Sequence, residues 1–300
     1  MKKPLLEALK ERILVGDGAM GTQLQFAGLE SGHCGELWNV EHPEKVVEIQ
    51  RRYVDAGSDV LLTNTFGGSR IMLERHGAAD RTAEINKAGV AVAREAFGDK
   101  EGYVIGDIGP FGGLMEPLGD IPESDVRAAF EEQAQAFVEA GVDAIIVETQ
   151  TSYEEMAIGI EMAKKVGAPC IIASWAYDVT HDLTECRTMM GIDPDQAGAF
   201  VDQSDADIVA MNCGTGIDME WAAKTTARYR KVTDKPIMVQ PNAGLPVLEN
   251  LVVKYKQTPE EMVAALPDLV AAGPNIIGAC CGSTPEHIAM VRRKLDELAG

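Results

Sequence analysis

The sequence contains no long hydrophobic run. Its first twenty residues, MKKPLLEALKERILVGDGAM, are interrupted by Glu7, Lys10, Glu11 and Arg12, so they lack the unbroken apolar core of a signal peptide. No segment approaches the ~20 apolar residues that a membrane helix needs. Basic charge is scarce too: 27 Lys and Arg stand against 47 Asp and Glu, a formal net charge of −20. Such a surface repels nucleic acid and anionic membrane, and no basic stripe or aromatic stacking platform offsets it. Aromatic residues make up only 5 % of the chain. These absences together predict a cytoplasmic protein that binds neither nucleic acid nor membrane. Thiols stay reduced in that compartment, so the six cysteines point to metal binding or core packing rather than disulfides.

What the sequence does have is a repeating alternation. Eight short β-rich apolar runs occur, at residues 13–20, 59–66, 103–110, 143–150, 170–177, 207–214, 236–243 and 275–282. Amphipathic segments separate them. Residues 44–56 place Val46, Val47, Ile49 and Tyr53 near one helical face, residues 124–140 do the same with Val126, Phe130, Ala134 and Phe137, and residues 152–165 open with Ser152-x-x-Glu155, a capping-box pattern. Several runs begin after AGSDV, AGVDA or AGPNI, where Gly suits a helix C-terminus that turns through positive φ. Alternating strands and helices imply a parallel sheet. Eight units in 300 residues imply an α/β fold, a single (β/α)8 TIM barrel spanning residues 1–300 as one domain.

Barrels of this kind place function at the C-terminal strand ends. Every run here turns polar at that end, at Asp17, Asn64, Asp107, Glu148, Trp175, Asn212 with Cys213, Asn242, and Cys280 with Cys281. Strands six and eight are separated only by strand seven, so Cys213 and the Cys280–Cys281 pair lie within reach of one centre. Three thiolates suit Zn2+ and leave a fourth position open, as catalytic zinc sites do. Neighbouring residues of a regular strand point to opposite faces, so the pair converges only if the chain leaves β geometry; Gly278 and Gly282 flank it and permit a bend. A vicinal disulfide, or one ligand beside one buried thiol, are the competing readings. Cys170 opens strand five and reads as core, and Cys34 and Cys186 read as loop residues. Asp17 and Glu148 offer two carboxylates to one mouth. Asn64, Asn212 and Asn242 are expected to orient loops and the metal shell by hydrogen bonds, and His287, in a first helical turn, reads as structural. No lysine ends any of the eight runs, which disfavours a Schiff-base barrel.

Taken in order, GDGAMGTQLQ, LLTNTFGG, GDIGP, VETQTS, MNCGTG, QPNAGLP and GACCGSTPEHI resemble the motif blocks of the homocysteine S-methyltransferase family. The likeness is nearest to the homocysteine-binding module of cobalamin-dependent methionine synthase and runs from about residue 11 to 295. It implies a (β/α)8 barrel whose zinc is held by Cys213, Cys280 and Cys281, with homocysteine supplying a fourth, thiolate ligand. It also implies that Asp17 and Glu148 hold the substrate's amino group and that the backbone of Gly18, Ala19 and Met20 lies near its carboxylate. Two stretches depart from the family pattern: WAYDVTHDLTECRTMMGIDP after strand five, and GTG after Cys213 where Ser-Leu-Gly is commoner. They leave the thiol and the methyl donor less defined than the zinc.

The resulting expectation is zinc-dependent methyl transfer to homocysteine, giving methionine. With no His-bearing cobalamin loop and no second barrel in these residues, the donor is expected to be methylcobalamin or another methylated corrinoid, free or carried by a separate corrinoid protein or methyl-donor module. Candidate aromatics for a cage around a betaine-type donor are few: Phe66, Phe111, Trp175 and Tyr177. A different thiol, a sulfonium donor, and a zinc-binding protein without catalysis are the alternatives.

Overall fold

The computed structural model describes residues 2–249 and 252–299. Eight strands form one parallel sheet: β1 (Leu14–Val15), β2 (Val60–Leu62), β3 (Tyr103–Ile108), β4 (Ala144–Gln150), β5 (Ile171–Trp175), β6 (Ile208–Asn212), β7 (Ile237–Gln240) and β8 (Ile276–Ile277). Each lies within one of the eight expected runs. Every strand is followed by a helix: α1 (Pro43–Asp55), α2 (Thr82–Phe97), α3 (Glu123–Ala140), α4 (Tyr153–Lys165), α5 (Pro194–Asp202), α6 (Met219–Tyr229), α7 (Leu266–Ala272) and α8 (Pro285–Ala299). The strand order is β1-β8-β7-β6-β5-β4-β3-β2, that of a (β/α)8 barrel. Among the described residues, no helix is long and apolar enough to cross a membrane.

Side chains rather than a backbone ladder dominate the seam between β2 and β1. Asp59 N–H donates to Val15 O (2.7 Å) and the Asp59 carboxylate accepts from Val15 N–H (2.9 Å). One turn higher, the Asp17 carboxylate accepts from Leu62 N–H (2.9 Å). The glycines expected at helix ends do turn through positive φ, at Gly57 (104°), Gly141 (78°) and Gly273 (84°). Ser152 caps α4 by accepting from Glu155 N–H (3.3 Å), but the expected box closes only on that side. The Glu155 carboxylate instead accepts from Phe111 N–H (2.8 Å) and ties down the loop after β3.

Strand periodicity divides the apolar residues into two layers. Leu14, Ile105, Ile146, Ile172, Ala210, Met238 and Ile276 fill the barrel interior together with Leu5 and Leu9, which reach it from the N-terminal segment. The alternate positions, among them Val104, Ile145, Val147, Ala173, Val209 and Val239, pack outward against the helices. Cys170 belongs to the interior layer, as expected of a core thiol.

Candidate metal centre

The inner layer of each strand continues upward in steps of two. Ile105 is followed by Asp107, Ile146 by Glu148, Ile172 by Ser174, Ala210 by Asn212 and Met238 by Gln240. Period two therefore turns five polar side chains inward, in one tier above the apolar fill, and all five are buried. Trp175 has the opposite parity. It is fully buried outside the barrel, edge-on to Tyr153 and Phe200. Tyr177 is buried against Tyr229, their hydroxyls 2.7 Å apart, and Phe111 is buried as well. Three of the four aromatics expected at the mouth thus serve the core, and only Phe66 lines the cavity there.

The cavity has a volume of about 400 Å³, and Asp17, Asp107, Glu148, Cys213, Cys280 and Cys281 contribute to its walls. Gly18, Ala19, Met20 and Asn64 line it as well. No lysine or arginine does so among the described residues.

The three cysteines arrive by distortions of the strands that carry them. Cys213 directly follows Asn212, where regular pleating would turn it outward, but its φ is +55°. That left-handed conformation is uncommon for a residue with a side chain, and it swings the sulfur into the mouth. Gly214 completes the turn at φ +83°; a Cβ there would lie 1.7 Å from Tyr177 O. β8 ends at Ile277, three residues before the pair. Cys280 N–H donates to Pro241 O (2.8 Å), and Cys281 O accepts from Ala243 N–H (3.0 Å). This non-strand backbone lets neighbours face one centre, and Gly282 (φ +79°) passes so close to Tyr255 that a Cβ would meet its Cγ at 2.1 Å.

The Sγ of Cys213 lies 3.7 Å from that of Cys281, and Cys280 Sγ is 4.0 Å from Cys281 Sγ. All three sulfurs fall within 4.8 Å of one another. A tetrahedral zinc with Zn–S bonds of about 2.3 Å needs sulfurs about 3.8 Å apart, so the donor set fits that ion. The spacing is far from the ~2.05 Å of a disulfide, and all six cysteines are free. Hydrogen bonds from Cys213, then Cys280, hold the Cys281 thiol down at about 3, against burial that raises it, with Tyr255 adding to the effect. Cys280 is pushed well up, chiefly by its hydrogen bonds to Cys213 and Cys281.

Glu148 reaches the mouth through a β-bulge. The β4–β5 register runs Val147↔Ala173, then Gln150↔Trp175, so Glu148 and Thr149 together oppose Ser174. Thr149 sits at φ +58°. Asn212 braces this bulge: its amide donates to Glu148 Oε2 (2.8 Å) and Thr149 Oγ1 (2.7 Å), and its Oδ1 accepts from Thr149 N–H (3.0 Å) and Ser174 Oγ (2.6 Å). Asn242 donates to Gly214 O (2.7 Å), holding the turn that carries Cys213. Asn64 donates to Gly35 O (2.8 Å) and Asn39 Oδ1 (3.1 Å), fastening the loop after β1. Burial raises Asp17 to about 8 and Glu148 to about 7. Ala19 N–H donates to Ser283 Oγ (3.0 Å), so of the three backbone groups expected near a substrate carboxylate, this one is engaged within the protein. At Gly18 a Cβ would meet Ser283 Oγ at 2.6 Å and Tyr53 at 2.9 Å.

The two divergent stretches pack on each other. Residues 178–179 and 186–187 form a small antiparallel hairpin, so Cys186 is a buried strand residue rather than a loop one. Asp178 accepts from Thr215 N–H (2.7 Å), and Val179 N–H donates to Thr215 O (2.9 Å). The long segment after β5 thereby braces the Gly-Thr-Gly loop directly after Cys213. His287 Nε2 lies 2.9 Å from Gln257 O, and Thr284 N–H donates to its Nδ1 (3.2 Å); the ring ties α8 to the end of the arm formed by Pro246–Glu249 and Val252–Tyr255. Asp107 stands among the polar strand ends expected at the mouth, without a specific role there. Tyr255 lies in a stretch without a motif, and no sequence signal marks it.

Over residues 14–295 the sequence matches the homocysteine S-methyltransferase family. The chain belongs to that family. It is 34 % identical over 304 aligned positions to the methionine synthase of Mycobacterium tuberculosis, covering 96 % of this chain and 25 % of that protein. The methionine synthase of Mycobacterium leprae is also 34 % identical, with 96 % and 24 % covered. The chain thus spans about a quarter of the length of these relatives. In fold it is similar to the homocysteine methyltransferase MmuM from Escherichia coli, metallated form, with a TM-score of 0.78 at 22 % identity over 97 % of this chain and 100 % of that one.

Proposed function

We propose that this barrel, acting as one unit over residues 1–300, is a zinc-dependent methyltransferase that moves a methyl group from a corrinoid donor to the thiol of homocysteine, giving methionine. The observation that carries the reading is the preformed triangle of cysteine sulfurs sharing one cavity with buried carboxyls. Cys213, Cys280 and Cys281 would hold zinc, which when bound supplies a Lewis acid that keeps an alkyl thiol, with an ordinary pKa near 8.5, deprotonated at neutral pH. The chain's own groups do the rest. Asp17 and Glu148 hold the substrate's ammonium, Asn212 fixes the direction of Glu148, and the backbone around Gly18 to Met20 faces its carboxylate. Asn64 and Asn242 keep the walls in place. The thiol is left pointing out of the mouth, where a methyl group can be attacked in line.

Two observations support a bulky donor docked over the mouth. The buried Phe111, Trp175 and Tyr177 provide no cage for a quaternary cation. Exposed apolar side chains instead occur in the segments that follow the strands: Phe26, Phe66, Leu118, Leu183, Met189 and Leu245 are 41 to 75 % exposed. Apolar side chains of that kind suit a large planar cofactor or its carrier. We place the protein in the cytoplasm, where its thiols stay reduced. The test pairs zinc-loaded protein and homocysteine with methylcobalamin, a methylated corrinoid protein and S-methylmethionine. Methionine should form with a corrinoid donor. Turnover with the sulfonium alone would reverse the donor assignment.

A further inference from the structure

Asp107 is a buried carboxyl that the scheme above leaves unused. It stands on β3 in the same inward tier as Glu148 on β4, is 5 % exposed and lines the cavity. Its backbone is held firmly: N–H donates to Thr63 Oγ1 (3.0 Å), and C=O accepts from Thr65 Oγ1 (2.8 Å) and Gln133 Nε2 (3.2 Å). Its side chain is not. Burial, and next the neighbouring Glu148 charge, push it well above the usual carboxylate range, and Oδ1 has no hydrogen-bond partner. A buried, unpartnered carboxyl oxygen destabilises a fold, and this one braces no loop or helix in return.

We propose that Asp107 contacts the substrate, completing with Asp17 and Glu148 a three-sided acceptor set that selects thiols bearing a primary ammonium. This rests on the reading of the site as one for an amino-acid thiol and adds a residue to it. The number of donors matches: an ammonium carries three N–H groups, and of the four carboxyls that line the cavity Glu36 is already engaged by Gly67 N–H (2.8 Å) and Cys34 Sγ (3.2 Å), which leaves three, from the end of β1, from β3 and from β4. Asp17 keeps one oxygen on Leu62 N–H and Glu148 keeps Oε2 on Asn212, so each retains one oxygen for a ligand, and Asp107 lines the same cavity. No lysine or arginine among the cavity's described residues competes for them. Burial and mutual repulsion oppose two adjacent charges on Asp107 and Glu148. An arriving ammonium offsets that repulsion and donates to their oxygens. A quaternary ammonium, having no N–H, cannot make those hydrogen bonds.

The test uses zinc-loaded protein, Asp107→Asn and calorimetric titration with three ligands. Homocysteine has thiol and ammonium, 4-mercaptobutanoate has the thiol alone, and homoserine has the ammonium alone. The substitution should weaken homocysteine and homoserine by the same factor, tenfold or more, and leave 4-mercaptobutanoate within twofold. The melting midpoint of ligand-free D107N should be equal to or above that of the parent, because an unsatisfied acid has been removed. If the parent takes homoserine in an Asp107-dependent way yet shows no gain from a thiol, the ammonium set stands and the thiol reading falls. Unchanged affinities for homocysteine and homoserine, or an equal loss for all three ligands with a lowered midpoint, would overturn the proposal.

Discussion

At the scale of single residues, the site combines groups that individually cost stability. Cys213 and Thr149 hold left-handed backbone, and burial keeps Asp17 and Glu148 well above the usual carboxylate range. Cys213→Ala, Cys280→Ser and Cys281→Ser should each lose most of about one zinc per chain, measured by elemental analysis after dialysis; full zinc in all three would remove the metal assignment. Asp17→Asn and Glu148→Gln should keep zinc while weakening homocysteine binding ten- to a hundredfold, roughly 1.5–3 kcal/mol for a lost charge-assisted contact. Equal affinity in both would place the amino group elsewhere. The pH dependence has a definite sign. Asp17 titrates near 8 in the folded chain and at about 3.9 when unfolded. Its neutral form therefore stabilises the fold fully below about pH 4, and that contribution is lost as pH rises toward 8. Relative to D17N, whose amide can still accept from Leu62 N–H, the ligand-free parent should lose stability between pH 5 and 8.5, by at most about 1.4 kcal/mol per pH unit. Denaturant titrations across that range check this, and parallel curves would show that Asp17 is already ionised.

At the scale of elements, strand parity and its two interruptions account for the site. Regular pleating delivers Asp107, Glu148, Ser174, Asn212 and Gln240 to one inner tier. A bulge aims Glu148, and the left-handed turn at Cys213 reverses the face on which that cysteine would fall. The runs, their order and the polar strand ends were legible in the sequence, because period two and glycine-terminated helices are local signals. Parity itself could have assigned Trp175 to the outer core, since Trp175 is one residue out of step with Ser174. The convergence of Cys280 with Cys281 was legible only as a permission granted by flanking glycines. The hairpin at 178–187 was not legible, because its partner is the Gly-Thr-Gly loop some thirty residues on. That partnership predicts that Gly214→Ala, forced against Tyr177 O, displaces Cys213. It should lower both zinc occupancy and melting temperature, whereas Gly141→Ala, with open space around its Cβ, should lower only the latter through its positive φ. Full zinc retention by G214A would show that the turn adapts.

At the scale of the whole molecule, the barrel is closed below by Leu5 and Leu9, filled through its middle by aliphatic side chains, and open at the end where the three sulfurs meet the cavity carboxyls. The exposed apolar side chains of the segments after the strands, read as a docking surface for a corrinoid, predict that mixing zinc-loaded protein, homocysteine and methylcob(III)alamin yields cob(I)alamin in stopped-flow spectra. Truncating Leu183 and Met189 to Ser should slow this step by raising the concentration of donor required, with homocysteine affinity unchanged; no change in donor dependence would move docking away from these side chains. The most direct test of the central claim is zinc X-ray absorption on the loaded protein with and without homocysteine. The account predicts three sulfur neighbours and one lighter atom in the free protein, becoming four sulfurs when homocysteine is added. Four protein sulfurs from the outset, or a spectrum that homocysteine leaves unaltered, would contradict it.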